Sequence, residues 1–120
     1  MEPNTRTVVA YIAVRLISGQ NASSIYDFSR SEHIPIGGVV NRGHVQVYDY
    51  ERNAHISGSG NGINYSLFDY GQSSHISLTI NGNNFRGYDY GTGNHFSGSV
   101  RGRSVSFYDY GESSYFSFSI

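Results

Sequence analysis

The chain of 120 residues contains no cysteine, no tryptophan and no lysine, with a single methionine and two prolines. Without cysteine there are no disulfides, no thiolate metal ligands and no thiol nucleophile. Without lysine there is no side-chain amine for a Schiff base, and all eight basic residues are Arg. Charge is scarce as well. Only 14% of residues are charged, against about 25% in an ordinary soluble domain, which excludes a charged disordered tail and a salt-bridged helical bundle. A formal net charge of −1 gives no positive field for nonspecific nucleic-acid binding, so nucleic acid is not an expected partner. The start lacks the basic stretch and cleavage pattern of a secretory signal, which leaves a cytoplasmic default and an otherwise unknown compartment.

What the chain does contain is a repeat. Aromatic-Asp-aromatic occurs at Tyr26-Asp27-Phe28, Tyr48-Asp49-Tyr50, Phe68-Asp69-Tyr70, Tyr88-Asp89-Tyr90 and Tyr108-Asp109-Tyr110, at offsets of 22, 20, 20 and 20. Five residues beyond each copy stands His33, His55, His75, His95 or Tyr115. Every Asp of the chain belongs to this unit, and a unit copied five times argues against a one-off catalytic constellation of unlike residues. An enzyme is therefore not expected.

Within a unit the hydrophobic period is two, as in Val105-Ser106-Phe107-Tyr108-Asp109-Tyr110 and Tyr115-Phe116-Ser117-Phe118-Ser119-Ile120, which reads as two strands of six or seven residues. With Gly111-Glu112-Ser113-Ser114 as the loop, Tyr110 faces Tyr115, Tyr108 faces Ser117, and Phe107 faces Phe118. The same register sets Tyr90 opposite His95, Tyr70 opposite His75, Tyr50 opposite His55 and Phe28 opposite His33. Gly-containing segments such as Asn81-Gly82 and Arg101-Gly102 join the units as tight turns. One face of the resulting meander carries Val45, Val47, Ile56, Leu67, Ile76, Leu78, Phe85, Phe96, Phe107 and Phe118 and must be buried. The other carries Ser, Thr, Asn, Gln and Arg with rows of Tyr and His.

Residues Thr7 to Ile17, TVVAYIAVRLI, stand outside the repeat. The expectation is a helix over 5–18, capped by Asn4 or Thr5 and ended by Gly19; the β-branched residues leave an eleventh strand as the alternative. Such a helix is apolar on every side and must be surrounded, yet it is too short to span a bilayer. Ten strands about 4.8 Å apart, tilted by about 40°, close into a barrel of roughly 10 Å backbone radius, which a helix would fill if Gly58, Gly87 and Gly98 clear room for it. The expected fold is thus one mainly β domain over 1–120: a ten-stranded antiparallel meander of five hairpin repeats over 24–120, curled or closed around a buried N-terminal helix. An open sheet or two-layer sandwich is the alternative. The outline resembles the fluorescent-protein can in shape alone; the Asp-Tyr-Gly triplets lie at strand ends and no chromophore is expected.

The five Asp lie on the core-side face at strand ends. Each is expected to accept hydrogen bonds from loop amides as an Asx-type cap; the alternative is a rim of carboxylates facing a cation, Arg6 or the positive end of the helix. The His are about 10 Å apart from unit to unit, too far to share a metal whose ligands lie about 2 Å away, so neither metal nor cofactor is expected. The outer aromatics are the most informative feature. Tyr48, Tyr50, His55, Tyr70, His75, Tyr88, Tyr90, His95, Tyr108, Tyr110 and Tyr115 form a candidate ligand-binding face in which rings stack and neighbouring Ser, His and Asn supply hydrogen bonds. The functional expectation is a non-catalytic binding module presenting this face to glycan or protein. The alternative is a structural or self-assembling scaffold, a homo-oligomer whose aromatic faces meet. Strands this short and an outer face this rich in Ser do not fit a membrane barrel.

Overall fold

A segment enclosed on all sides by apolar side chains has no water to satisfy its backbone, and a helix is the one structure that satisfies it internally. That requirement overrides the β-branched residues, and Pro3–Ser18 forms a single helix, α1, in which residues 8–14 are fully buried. In the computed structural model, which describes all 120 residues, ten strands follow. They are β1 (Ser24–Asp27), β2 (Glu32–Val40), β3 (His44–Asp49), β4 (Ala54–Gly60), β5 (Asn64–Asp69), β6 (Ser74–Asn81), β7 (Asn84–Asp89), β8 (Asn94–Arg101), β9 (Ser104–Asp109) and β10 (Ser114–Ser119). Each pairs antiparallel with its neighbours in the chain, and β1 pairs with β10. The meander is a closed barrel and α1 runs through it. Closure leaves no sheet edge for stray pairing.

The helix begins two residues earlier than the sequence suggests. Its N-cap is Glu2, which makes no side-chain capping bond, and Pro3 occupies the first turn, where a missing N–H costs nothing. Asn4 and Thr5 therefore cap nothing locally; their side chains reach barrel carboxylates instead. At the other end Gly19 takes the left-handed conformation, φ 71°, and donates to the Arg15 carbonyl, as expected. Sixteen residues rise about 24 Å, most of the depth of a molecule measuring 32 × 29 × 27 Å.

The inner wall is mainly aliphatic over β1 to β6, Tyr65 apart, and rich in aromatics over β7 to β10, where Phe85, Phe96, Phe107 and Phe118 pack in sequence around the wall. Gly58, Gly87 and Gly98 lie on this inner face, but the room they provide is not taken by the helix. A Cβ at Gly58 would stand 2.0 Å from the Ser66 carbonyl oxygen of the adjacent strand. At Gly87 and Gly98 it would also strike the rings of Phe96 and Phe85, at 2.5 and 2.4 Å. These glycines let neighbouring strands approach and let cross-strand rings lie flat on the sheet.

The hairpin register differs from the expected one by two residues. Tyr115 pairs with Tyr108, Phe116 with Phe107 and Phe118 with Val105, and the loop is Tyr110 to Ser113. The cause is the aspartate: Asp109 Oδ1 accepts the Gly111 amide at 2.9 Å, so the chain turns directly after Asp109 and Tyr110 already belongs to the turn. The fourth loop residue, Ser31, Asn53, Ser73, Gly93 or Ser113, closes each hairpin with φ between 53° and 71°. A shift of two leaves both faces unchanged.

Candidate functional site

The register decides which rings meet. In every unit the first aromatic, not the second, lies opposite the ring five residues past the repeat: Tyr26 opposite His33, Tyr48 opposite His55, Phe68 opposite His75, Tyr88 opposite His95 and Tyr108 opposite Tyr115. The second aromatic sits in the loop and turns its ring onto the first. Each unit thus carries a triad in which the central ring meets two others edge-on, with centroids 4.6–5.0 Å apart and planes 64–82° to one another. Such edge-to-face pairs suit the ring quadrupole. The central ring is half-buried, and the loop ring is exposed, from 54% at Tyr110 to 62% at Tyr90.

The loop residue also reaches the preceding hairpin. Tyr70, Tyr90 and Tyr110 donate their backbone N–H to the carbonyls of His55, His75 and His95. The Tyr110 hydroxyl lies 3.4 Å from Ser97 Oγ, and a Cβ on Gly37 would come within 2.8 Å of the Tyr50 hydroxyl. The serines expected to face the aromatics across their own hairpin instead face the central ring of the next one: Ser57 opposite Phe68, Ser77 opposite Tyr88 and Ser97 opposite Tyr108. Fifteen rings form a belt around the outer wall near the hairpin-loop end, above which the wall is lined mainly by Ser, Thr and Asn.

The belt is concave on one side. A groove of about 740 Å³ runs across β7, β8 and β9, with Ser97, Gly98, Ser99 and Ser106 along it and Tyr108, Tyr110, Tyr115, Asn84 and Arg86 beside them. A second groove, of about 490 Å³, shares Thr79, Arg86, Ser97 and Tyr110 with it and adds Tyr88 and His95. Of the expected site residues, Tyr88, His95, Tyr108, Tyr110 and Tyr115 come together here. Tyr48, Tyr50, His55, Tyr70, His75 and Tyr90 lie around the wall outside these two grooves. The sequence places Arg86 on this face but not among the candidate site residues; it is an exposed cation with no carboxylate partner in the middle of the grooves, on a strand whose outer face otherwise carries Asn and Tyr.

The aspartates lie on the opposite side of the same strand ends and are buried, at 0–1% exposure. The loop cap and the part of the alternative in which they face Arg6 and the helix start hold at once. One oxygen caps the loop: Asp27, Asp49, Asp69, Asp89 and Asp109 each accept the amide two residues on, at 2.8–3.0 Å. The other oxygen faces the barrel axis in four units, where it meets Thr7 at 3.3 Å (Asp27), Asn4 at 3.2 Å (Asp49), Thr5 at 2.7 Å (Asp69) and Arg6 at 3.1 Å (Asp109). The helix start therefore sits inside a ring of carboxylates that answers its positive end. Two loop arginines complete the ring. Arg30 holds Asp27 at 2.8 Å, while Arg52 holds Asp49 at 2.7 Å and Asp69 at 3.1 Å.

Burial pushes the Asp27 carboxyl up, but the Ser29 hydroxyl, the Arg30 guanidinium and the Ser29 amide outweigh it and hold the group below its usual range. Burial likewise lowers the Arg52 pKa, and the hydrogen bond to Asp49 and the charge of Asp69 raise it again, so the guanidinium stays charged. Asp89 alone has no cation; Gln72 at 2.9 Å and Thr92 at 3.1 Å supply its remaining bonds. With every carboxylate committed, and no three His, Asp or Glu side chains converging as a metal set would, the inner ring is a clasp between helix and barrel. The fold and site define a closed β-barrel with a filled interior and a patterned outer wall. No protein-family model, curated protein or solved structure matches the chain.

Proposed function

We propose that the protein is a non-catalytic binding module whose outer aromatic wall engages glycan, with the groove across β7 to β9 as the primary site. The observation that carries this reading is the groove itself: exposed Tyr rings stand beside a run of serines, with Asn84 and Arg86 at hand. Sugar rings present apolar faces that stack on Tyr and hydroxyls that bond to Ser, Asn and Arg, and a groove of this size accommodates a mono- or disaccharide. Filled space inside the barrel directs binding to the outside. Five copies of the triad would let several weak contacts act together on a repetitive ligand.

Because the chain has no Trp and all but Tyr11 and Tyr65 of its Tyr lie on this wall, Tyr fluorescence reports mainly on it. A glycan array followed by sugar titration is expected to give saturable binding, with Tyr110→Ala weakening it by about tenfold, the loss of one stacking contact. Absence of binding to any glycan at millimolar concentration refutes the glycan reading.

A further inference from the structure

The charged side chains are sorted by end. All nine Asp and Glu side chains lie where α1 begins: the five Asp on the strand ends, with Glu2, Glu32, Glu51 and Glu112 at the helix start or beside the hairpin loops. Arg6, Arg30 and Arg52 share that end, and each has a carboxylate within 3.1 Å. The opposite end, where α1 leaves the barrel, has no carboxylate side chain and holds Arg15, Arg42, Arg101 and Arg103. None of these four is ion-paired to an Asp or Glu.

Two cavities flank the exit of the helix, and Gln20 lines both. The larger, about 440 Å³, takes in Arg15, Asn41, Arg42 and Tyr65; the smaller, about 200 Å³, takes in Asn83, Arg101 and Arg103. The arginines are partly positioned in advance. Arg42 lies across Gly62, where a Cβ would stand 2.4 Å from its Nε, and the Tyr65 hydroxyl fixes its loop by donating to the Arg42 carbonyl at 2.7 Å. Arg103 donates to the Ile120 carbonyl and to Gln20 at 2.8 and 3.0 Å. Arg15 donates to the Tyr11 hydroxyl at 3.0 Å, and its Nε is buried with no partner. The negative end of the helix offsets only about half a unit charge here. Gathering four guanidinium groups with no Asp or Glu among them costs the free protein energy that an anion would recover.

We propose that this mouth binds a small oxyanionic ligand carrying two or more phosphate or sulfate groups, held by guanidinium groups on either side of Gln20. The site is separate from the outer groove and stands or falls independently of it. Titration of the full chain with pyrophosphate and, separately, with a disulfated disaccharide, followed by amide NMR at low ionic strength, tests it. The Gln20, Asn41, Gly62 and Gly102 resonances are expected to shift saturably, while Gly91 and Gly111 at the far end stay in place. Arg42→Gln and Arg101→Gln, both exposed turn or strand-end positions whose folding a CD melt verifies, should each weaken binding by about tenfold, and the pair together should abolish it. Response to one probe alone supports the site and identifies its ligand as phosphoryl or sulfated sugar. The proposal is overturned by silence with both probes at about 10 mM, by native-like binding in the double variant, or by diffuse shifts that spread over the whole outer wall.

Discussion

Neutralising single members of the carboxylate ring separates its two roles. Asp69→Asn keeps an oxygen for the Gly71 amide but replaces the charged oxygen that accepts Thr5 at 2.7 Å and Arg52 at 3.1 Å. Breaking a buried ion pair costs about 3–5 kcal/mol when the partner charge is stranded, but Arg52 retains Asp49 and partial solvent access. The expected loss is therefore about 2 kcal/mol, chiefly one charge-assisted hydrogen bond. For a chain of this length that lowers Tm by roughly 8 °C. Asp89→Asn is the counterpart: the amide oxygen can still accept from Gly91 and Gln72, its nitrogen can donate to Thr92, and no cation is left behind. Its expected effect is within about 1 kcal/mol of native, in either direction. Urea and thermal unfolding followed by circular dichroism measure both. Equal destabilisation by the two variants, or greater loss at Asp89, would refute the assignment of the ring as a charge-matched clasp.

Other consequences can be measured in the same way. The folded-state pKa of Asp27 is depressed, so its contribution to stability is fully present above its unfolded value of 3.8 and disappears as pH falls through the folded value. Urea midpoints should therefore drop on acidification below about pH 4, and an Asp27→Asn variant should lose part of that slope. Gly98→Ala forces a Cβ to within 2.3 Å of the Ser106 carbonyl and 2.4 Å of Phe85, and is expected to cost about 3 kcal/mol, whereas a Phe85→Leu background should recover part of the loss by removing the ring. Additive effects in that double variant would show that the ring is not what the glycine accommodates.

How much was legible in the sequence follows from what each pattern encodes. Period-two alternation states which side of a strand faces inward, and the repeat at about 20 residues counts the hairpins, so the ten-stranded meander and its inner face could be read directly, whereas closure rests on the pairing of β1 with β10, which alternation does not encode. Register could not, because sliding a hairpin by two residues preserves alternation; only the Asx turn at each Asp sets where the strand stops. That slip misassigned the partners of the His rings, although it left them on the correct wall. The helix start at Pro3 is hidden for a related reason. Local capping chemistry points to Asn4 and Thr5, while the groups that face this end, Asp49 and Asp69, are dozens of residues away. The groove required knowing that β7, β8 and β9 lie side by side, so that Arg86 and Tyr110 line one groove.

The ring also shows how a single helix can be seated in a wall of five hairpins. If the five hairpins divide the closed barrel equally, successive carboxylates stand about 72° apart, whereas successive helix residues are about 100° apart. Going around from Asp49, the next carboxylates are Asp69, Asp89, Asp109 and Asp27. Multiples of the wall spacing put Asp69 at about 72°, Asp109 at about 216° and Asp27 at about 288° from Asp49. Multiples of the helix spacing put Thr5, Arg6 and Thr7 at about 100°, about 200° and about 300° from Asn4, each within about 30° of the carboxylate it contacts. Asp89 falls at about 144° on the same division, in the gap between Thr5 and Arg6. It is the one carboxylate with no helix partner, and it draws Gln72 and Thr92 from the wall instead. Four consecutive helix residues thus cover four of the five positions, and the mismatch of periods dictates which one is left over. An unequal set of partners fixes the rotation of the helix about its own axis: turning it by one carboxylate one way would set Arg6 against Asp27, already held by Arg30, and the other way would take the guanidinium from Asp109, which no loop arginine holds.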